Sequence, residues 1–238
     1  MRRGRRENEL RPITIQMGFL ERRPASVLFS MGSTKVLATA CIEAGVPSFL
    51  EGKGKGWATA EYDMLPGSTS PRRPRERAGK VSGRTLEIQR MIGRSLRGVL
   101  DLTALDGFTL ALDCDVLEAD GGTRTASVNG AFVAASLAVR EAMEKGLLRR
   151  SPITQALGAV SVGISAGKLL VDLDYAEDSS ADVDLNLVAT TSSAVLEIQG
   201  TSERKPFSLE ELDRMVQSGM EGIHEIIERC RAAIATRE

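Results

Sequence analysis

This 238-residue chain has few aromatic and imidazole side chains: one Trp, two Tyr, six Phe and a single His. So few rings argue against an RNA reader built on exposed stacking aromatics. The only histidine, His224, falls in a helical stretch near the C-terminus. Any Ser-His-Asp or Cys-His nucleophile would depend on it, so covalent catalysis of that kind is not expected. The three cysteines, Cys41, Cys114 and Cys230, are far apart and show no C-x-x-C spacing. They read as buried thiols rather than a zinc set or a disulfide. No apolar run is long enough to cross a bilayer. The basic start, "MRRGRRENELRP", leads into no apolar segment of the secretory kind, so a cytoplasmic protein without a membrane partner is expected. Neither nucleotide-binding glycine signature, G-x-x-x-x-G-K-[ST] or G-x-G-x-x-G, is found.

Hydrophobic residues make up 42% and charged residues 26%, enough of each for a soluble chain with a sizeable core. Net charge is −1 but unevenly spread. Residues 1–80 carry 15 Lys and Arg against 8 Asp and Glu, whereas the remainder carries 16 against 24. A basic region inside a neutral chain suits a phosphate-rich ligand, or an acidic surface on a neighbour.

Alternating or β-branched runs at "ITIQMG", "ASVLFSMG" and "TKVLATACIE" predict a meander of antiparallel strands, with a turn at Gly32-Ser33. "GWATAEYDML" and "FTLALDCDVL" read as two further strands. Ile88, Met91, Ile92, Leu96, Val99 and Leu100 recur at helical spacing and predict a helix over about 83–100, capped by Ser82. Arg90, Arg94 and Arg97 form a stripe on another face of it. From Gly122 to about Glu144 the pattern is helical but small and apolar nearly all round, which predicts burial. The second half follows the same plan: a hairpin turning near Gly167, two more strands, then a helix over 208–235. Ser208 and Glu211 form a capping box for that last helix. The expected class is α+β, a sheet with helices on one side. The expected organisation is a single domain over 1–238, with related halves at about 1–145 and 146–238.

Three constellations can carry chemistry. In "EADGGTRTASVNGAF" two glycines, Thr123 and Arg124 stand where a strand hands over to a helix. Free N–H groups, the helix dipole and a guanidinium suit an ion the size of phosphate. The plainer reading is a glycine turn with Arg124 paired to Asp120 or Glu118. In "SGRTLEIQRMIGRSLR", Arg84 sits at the start of its helix, where an acid is normally favoured. It can converge with Gly122, Thr123 and Arg124 on one anion, or simply point into solvent. In "DLDYAEDSSADVDLN", Asp178, Asp182 and Asp184 share a face if the stretch is extended, while a turn at Ser179-Ser180 would reset the phase. Carboxylates on one face suit Mg²⁺ or Mn²⁺ together with phosphate oxygens; a solvated acidic loop is the alternative. Arg72, Arg73, Arg75 and Arg77 form a basic loop suited to a nucleic-acid backbone.

Taken in order, "ELRP", "GSTKVLATA", "GWATAEYDMLP", "SGRTLEIQRMIGRSLR", "DCDVLEADGGTRTASVNGA", "DLDYAEDSSADVDLNLV" and "EIQGT" resemble the ribonuclease PH family of phosphate-dependent RNA exonucleases, nearly end to end. The resemblance implies a duplicated β-β-α-β-α core like ribosomal protein S5 domain two. It also implies a homohexameric ring, a trimer of dimers. The implied reaction is attack of inorganic phosphate on the last phosphodiester of a tRNA precursor, releasing a nucleoside diphosphate, reversibly.

By matched motif, Arg84, Gly122, Thr123 and Arg124 would bind phosphate. Asp178 and Asp184 would be catalytic, holding Mg²⁺ or Mn²⁺ or assisting proton transfer. The arginines of the 72–77 loop, with Arg90 and Arg94, would lie toward RNA. The chain departs from the family pattern at Gly67, in the loop that would contact tRNA, and at Thr191 and Ser202-Glu203-Arg204; none of these is a proposed phosphate-binding or catalytic position. Two other readings compete. One is an RNA-binding ring subunit of the same fold without catalysis. The other, a small-molecule kinase, needs a glycine-serine ATP loop that is not found.

Overall fold

The computed structural model describes residues 2, 4–76 and 81–236. The predicted meander forms. β1 (Ile13–Met17), β2 (Ser26–Met31) and β3 (Thr34–Ala44) pair antiparallel in sequence order. β4 (Trp57–Met64) then leaves the meander, and α1 (Gly83–Arg97) carries the chain across to β5 (Phe108–Glu118). β5 enters between β3 and β4, antiparallel to β3 and parallel to β4. A parallel neighbour requires a crossover of this kind, and α1 supplies it. Ser82 caps α1 by accepting from the Thr85 N–H at 3.2 Å. The helix ends at Arg97, short of the expected 100, where Gly98 packs beneath Leu196; a Cβ there would stand 2.7 Å from that side chain.

α2 (Thr123–Glu144) closes the first half. In the second half, the hairpin of β6 (Leu157–Ser165) and β7 (Lys168–Val171) is followed by α3 (Tyr175–Ser180), β8 (Val183–Thr190), β9 (Val195–Ser202) and α4 (Leu209–Ala235). These strands form a second sheet in the order β7-β6-β8-β9. The order β-β-α-β-α thus occurs twice, as β2-β3-α1-β5-α2 and β6-β7-α3-β8-α4. β1 precedes the first repeat, β4 is added ahead of α1, and β9 after β8.

The expected single sheet is corrected to two sheets, because α2 packs against both. Its side chains are small (Ala126, Ala131, Ala134, Ala135, Ala138), so neither sheet is held at a distance. At Gly130 a Cβ would stand 3.1 Å from Phe29 Cβ of β2 and 3.3 Å from Ala38 Cβ of β3. α1 lies on β4, α4 lies on β6 and β8, and one hydrophobic core runs through both sheets. Among the described residues no helix is long and apolar enough to cross a membrane. Cys114 and Cys230 are buried and Cys41 is half-buried, all as free thiols.

The second correction concerns the acidic stretch. It is not an extended strand but carries the short helix α3, because Asp174 and Glu177 make a reciprocal capping box. Asp174 accepts from the Glu177 N–H at 2.9 Å, and Glu177 accepts from the Asp174 N–H at 3.1 Å. That box fixes the phase that alternation could not predict.

Candidate active site

The turn ahead of α2 is left-handed at both glycines, with φ of +74° at Gly121 and +63° at Gly122. Gly121 is required by proximity as well. A Cβ there would lie 2.6 Å from the Leu173 carbonyl oxygen, against the backbone leading into α3. Gly122 stands at the N-cap and gives no side-chain cap, and the first turn of α2 holds no acid. Its N–H groups therefore face the site together with the positive end of the helix dipole. Thr123 is buried, and its hydroxyl accepts from the Tyr62 phenol at 3.1 Å.

Arg124 pairs neither with Asp120 nor with Glu118. Glu118 is joined to Lys35 at 2.7 Å, and Asp120 Oδ1 accepts from the Tyr175 N–H at 3.3 Å. Arg124 instead reaches Glu87 of α1 at a distance of 3.5 Å, while its Nε is buried without a partner among the described residues. Glu87 is shared, since it also accepts from Gln199 of β9. A guanidinium with one loose bond and one orphaned N–H retains capacity for an anion. Arg84 is exposed at the start of α1.

The six acids of the 172–184 stretch sort by partner. Asp172 is fully buried and paired with Arg11 at 2.6 Å. Glu177 is held by Arg2 at 2.6 Å, and both Glu177 and Asp174 serve the cap of α3. Asp182, which an extended strand would align with Asp178 and Asp184, pairs instead with Lys205 at 3.4 Å. Asp178 and Asp184 have no ion pair among the described residues; Asp184 accepts only a 3.4 Å bond from Asn186.

Burial pushes both of these carboxyls up. The positive fields of Arg84 and Arg124 oppose the rise at Asp178. At Asp184 the Asp178 charge adds to burial and the carboxyl reaches about 6, with Arg124 opposing. These mutual influences bring Arg84, Arg124, Asp178 and Asp184 into one neighbourhood, a convergence that sequence spacing leaves open. Glu203, placed away from the site by its position in the sequence, also raises both aspartates. Tyr62, Glu87, Gln199 and Arg11 fall within the matched motifs without a site role assigned there, and Glu203 lies outside them; all five are neighbours of the site.

No three His, Cys, Asp or Glu residues among those described form a metal cluster. The donor set of Asp178 and Asp184 is nevertheless suited to Mg²⁺ or Mn²⁺. Two hard oxygen donors that raise each other's affinity for a positive charge, beside an anion seat, match the usual binding of one or two carboxylates plus phosphate oxygens.

The basic loop is less free than its composition suggests. Arg73 is paired with Glu76 at 2.8 Å, and Glu76 in turn accepts from the Ser82 N–H at the start of α1. Arg72 and Arg75 are exposed, and Arg77 lies outside the described residues. Along α1, Arg90 is exposed, Arg94 is paired with Glu197 of β9 at 2.6 Å, and Arg97 lies 4.3 Å over the Trp57 ring. A cavity of about 1140 Å³, lined in part by Arg2, Arg5, Lys168, Glu177 and Arg214, adjoins α3 but includes neither Asp178 nor Asp184.

Residues 9–141 match the model of the 3′ exoribonuclease family, domain 1, and residues 156–222 match domain 2 of that family. Among solved structures, the chain is similar to rice (Oryza sativa) Rrp46, at 19% identity and a TM-score of 0.79 over 98% of each chain. It is similar to a chain of the Archaeoglobus fulgidus exosome with RNA bound to the active site, at 21% identity and 0.79, covering 95% of this chain and 91% of that one. It is also similar to a chain of an archaeal exosome core, at 20% identity and 0.75, covering 96% and 90%.

Proposed function

Because this chain belongs to the 3′ exoribonuclease family and has the ribonuclease PH fold, we propose that it shortens RNA from the 3′ end by phosphorolysis. The observation that carries this reading is that two carboxyls without an ion pair among the described residues, Asp178 and Asp184, lie within the fields of Arg84 and Arg124, beside the uncapped start of α2.

The chemistry follows from the charges. Inorganic phosphate, as substrate, is an anion that must approach an anionic phosphodiester. The N–H groups of Gly122, Thr123 and Arg124, with the guanidinia of Arg124 and Arg84, neutralise it and align one of its oxygens with the scissile phosphorus. The new P–O bond forms as the bond to the 3′-oxygen of the penultimate nucleotide breaks, and the last nucleotide leaves as a diphosphate. The departing 3′-oxygen needs a proton, and Asp184, with its carboxyl near 6, can hold one at its Oδ atoms close to neutral pH. In the alternative role, with both carboxyls deprotonated, Asp178 and Asp184 would hold Mg²⁺ or Mn²⁺. Such an ion, when bound, neutralises charge on phosphoryl oxygens.

The RNA is proposed to be mainly precursor tRNA, acted on in the cytoplasm by a homohexameric ring. The exposed Arg72, Arg75 and Arg90 would touch its backbone. A second reading has a specific observation in its favour: the similar solved structures include rice Rrp46 and an archaeal exosome core, which supports an RNA-binding ring subunit without catalysis. That fold-level likeness favours the ring-subunit reading; the unpaired carboxyls and the free anion seat favour catalysis.

A tRNA with a short 3′ extension, labelled in its terminal nucleotide, separates the two. Release of a nucleoside diphosphate only when inorganic phosphate is added is the expected result. Release of a monophosphate without phosphate would mean hydrolysis, and bound RNA without release would establish the ring subunit.

A further inference from the structure

The two sides of the site are joined by a side chain that belongs to neither. Arg11 lies just ahead of β1 and is only 5% exposed. Its backbone N–H and its Nε donate to Asp172 Oδ2 at 2.7 and 3.0 Å, and its Nη2 donates to Asp172 Oδ1 at 2.6 Å. The same guanidinium turns outward through Nη1 to the Asp120 carbonyl, with Nη2 3.5 Å from the Gly121 carbonyl. Asp172 leads into α3, which carries Asp178; Asp120 and Gly121 lead into α2, which carries Thr123 and Arg124. One planar fork therefore holds the carboxylate side and the anion side together.

The surroundings are shaped for it. A Cβ at Gly32 would stand 2.7 Å from Arg11 Cδ, and one at Gly122 would stand 2.9 Å from Nη2, so two glycines clear the path of this side chain. Asp172 sits at φ +58°, a left-handed conformation uncommon for a residue with a side chain. It is held there by the three donors of Arg11, by Arg5 at 3.6 Å and by its own N–H bond to the Ser161 carbonyl at 2.7 Å. The charge of Arg11 also reaches Asp178.

We propose that Arg11 is a positioning residue that couples occupancy of the seat at Gly122–Arg124 to the placement of Asp178. The proposal rests on the phosphate reading above. An anion that draws the N–H groups of the α2 turn toward itself shifts the Asp120 and Gly121 carbonyls. Those carbonyls share a rigid fork with Asp172, so α3 follows. By linkage, order at α3 tightens the phosphate seat by the same factor.

Backbone hydrogen exchange with inorganic phosphate alone tests the coupling without catalysis. In the wild type, phosphate slows exchange both in the first turn of α2 and in α3. Arg11→Lys keeps the charge but cannot bond both sides, so protection stays at α2 and is lost at α3. Its phosphate KM rises about tenfold and kcat falls, with RNA affinity unchanged.

The double variant Arg11→Met/Asp172→Asn removes both charges together, leaves no unpaired buried charge, and is expected to behave alike. Folded variants with wild-type kcat, phosphate KM and α3 protection would overturn the proposal, as would failure of both variants to fold, which would make Arg11 structural only. If the wild type binds no phosphate in calorimetry, the phosphate reading fails instead. Faster exchange of α2 and α3 together in ligand-free Arg11→Lys would still establish the mechanical link.

Discussion

The Tyr62 phenol on β4 donates to Thr123 Oγ1 at 3.1 Å, so the edge strand of the first sheet fastens the first residue of the helix that faces the site. Tyr62 is buried, and burial raises its phenol above the usual range, which keeps it a donor at all working pH values. Tyr62→Phe removes only the hydroxyl. A lost bond of this kind costs about 1 kcal/mol, so the expected result is a roughly fivefold rise in phosphate KM with a comparable loss of stability. Phosphate titration of activity and a urea melt on the same preparation check it.

Arg124→Ala removes the guanidinium with the orphaned Nε. Charge-assisted bonds contribute about 1.5–3 kcal/mol, so phosphate KM should rise on the order of 10- to 100-fold while RNA binding, measured by filter retention, persists. Unchanged phosphate dependence would remove Arg124 from the seat.

Asp184 carries a pH signature in metal-free buffer. Its folded carboxyl is raised to about 6 from 3.8, mainly by burial and then by Asp178. The folded state therefore holds the proton more tightly than the unfolded state. This penalty is absent below about pH 4, grows through the interval to 6 and is complete above it. Asp184→Asn should melt at the wild-type temperature near pH 4. At pH 7.5 it should melt a few degrees higher, for a difference on the order of 2 kcal/mol, with nucleotide release lost. A melting curve that shifts equally at both pH values would place the cost elsewhere.

The loop arginines differ in freedom. Arg73 is engaged with Glu76, whereas Arg72 and Arg75 are exposed. Replacing Arg72 and Arg75 with alanine should reduce the slope of log affinity against log salt by about 1 for each phosphate left without its cation. Arg73→Ala should change it less. Equal slopes in all variants would take this loop off the RNA path.

Thiol chemistry should be slow. Burial pushes Cys41 up to about 11 and Cys230 up to about 12, and raises Cys114 still further. At pH 8 the native protein should react with iodoacetamide about a hundredfold more slowly than a free thiol at Cys41. Reaction at Cys114 and Cys230 should occur only with unfolding, as read by mass spectrometry.

The regular elements are readable because their signals are local. Alternation marks β1 to β3, and Ser82 and Ser208 mark the starts of α1 and α4. α3 is not readable, because D-x-x-E inside a run of acids does not stand out as a cap. The shape of the site is partly readable. Gly122, Thr123 and Arg124 suit either an anion seat or a plain glycine turn by themselves, and Arg84 comes about forty positions earlier, so that only the packing of α1 beside α2 relates the two. Arg11 falls in the matched "ELRP", but nothing local assigns it a partner or a role. Its distinction arises from Gly32, Gly122 and Asp172, three positions scattered over more than a hundred residues. Glu203 escapes sequence reading for a similar reason: the β8–β9 pairing, not proximity in sequence, carries it back to Asp178 and Asp184.

The all-round burial of α2 has a consequence for how the chain can be divided. The helix belongs to the first ββαβα unit by sequence, yet part of its apolar surface is covered by β6, β8 and α4 of the second. Cutting the chain after the helix would leave one fragment with an uncovered greasy rod and the other with an uncovered sheet face. Two such fragments, expressed together, should find each other and rebuild the fold, while either one alone should precipitate. Mutational drift in one half is then answerable to the other, because both must keep fitting the same narrow helix.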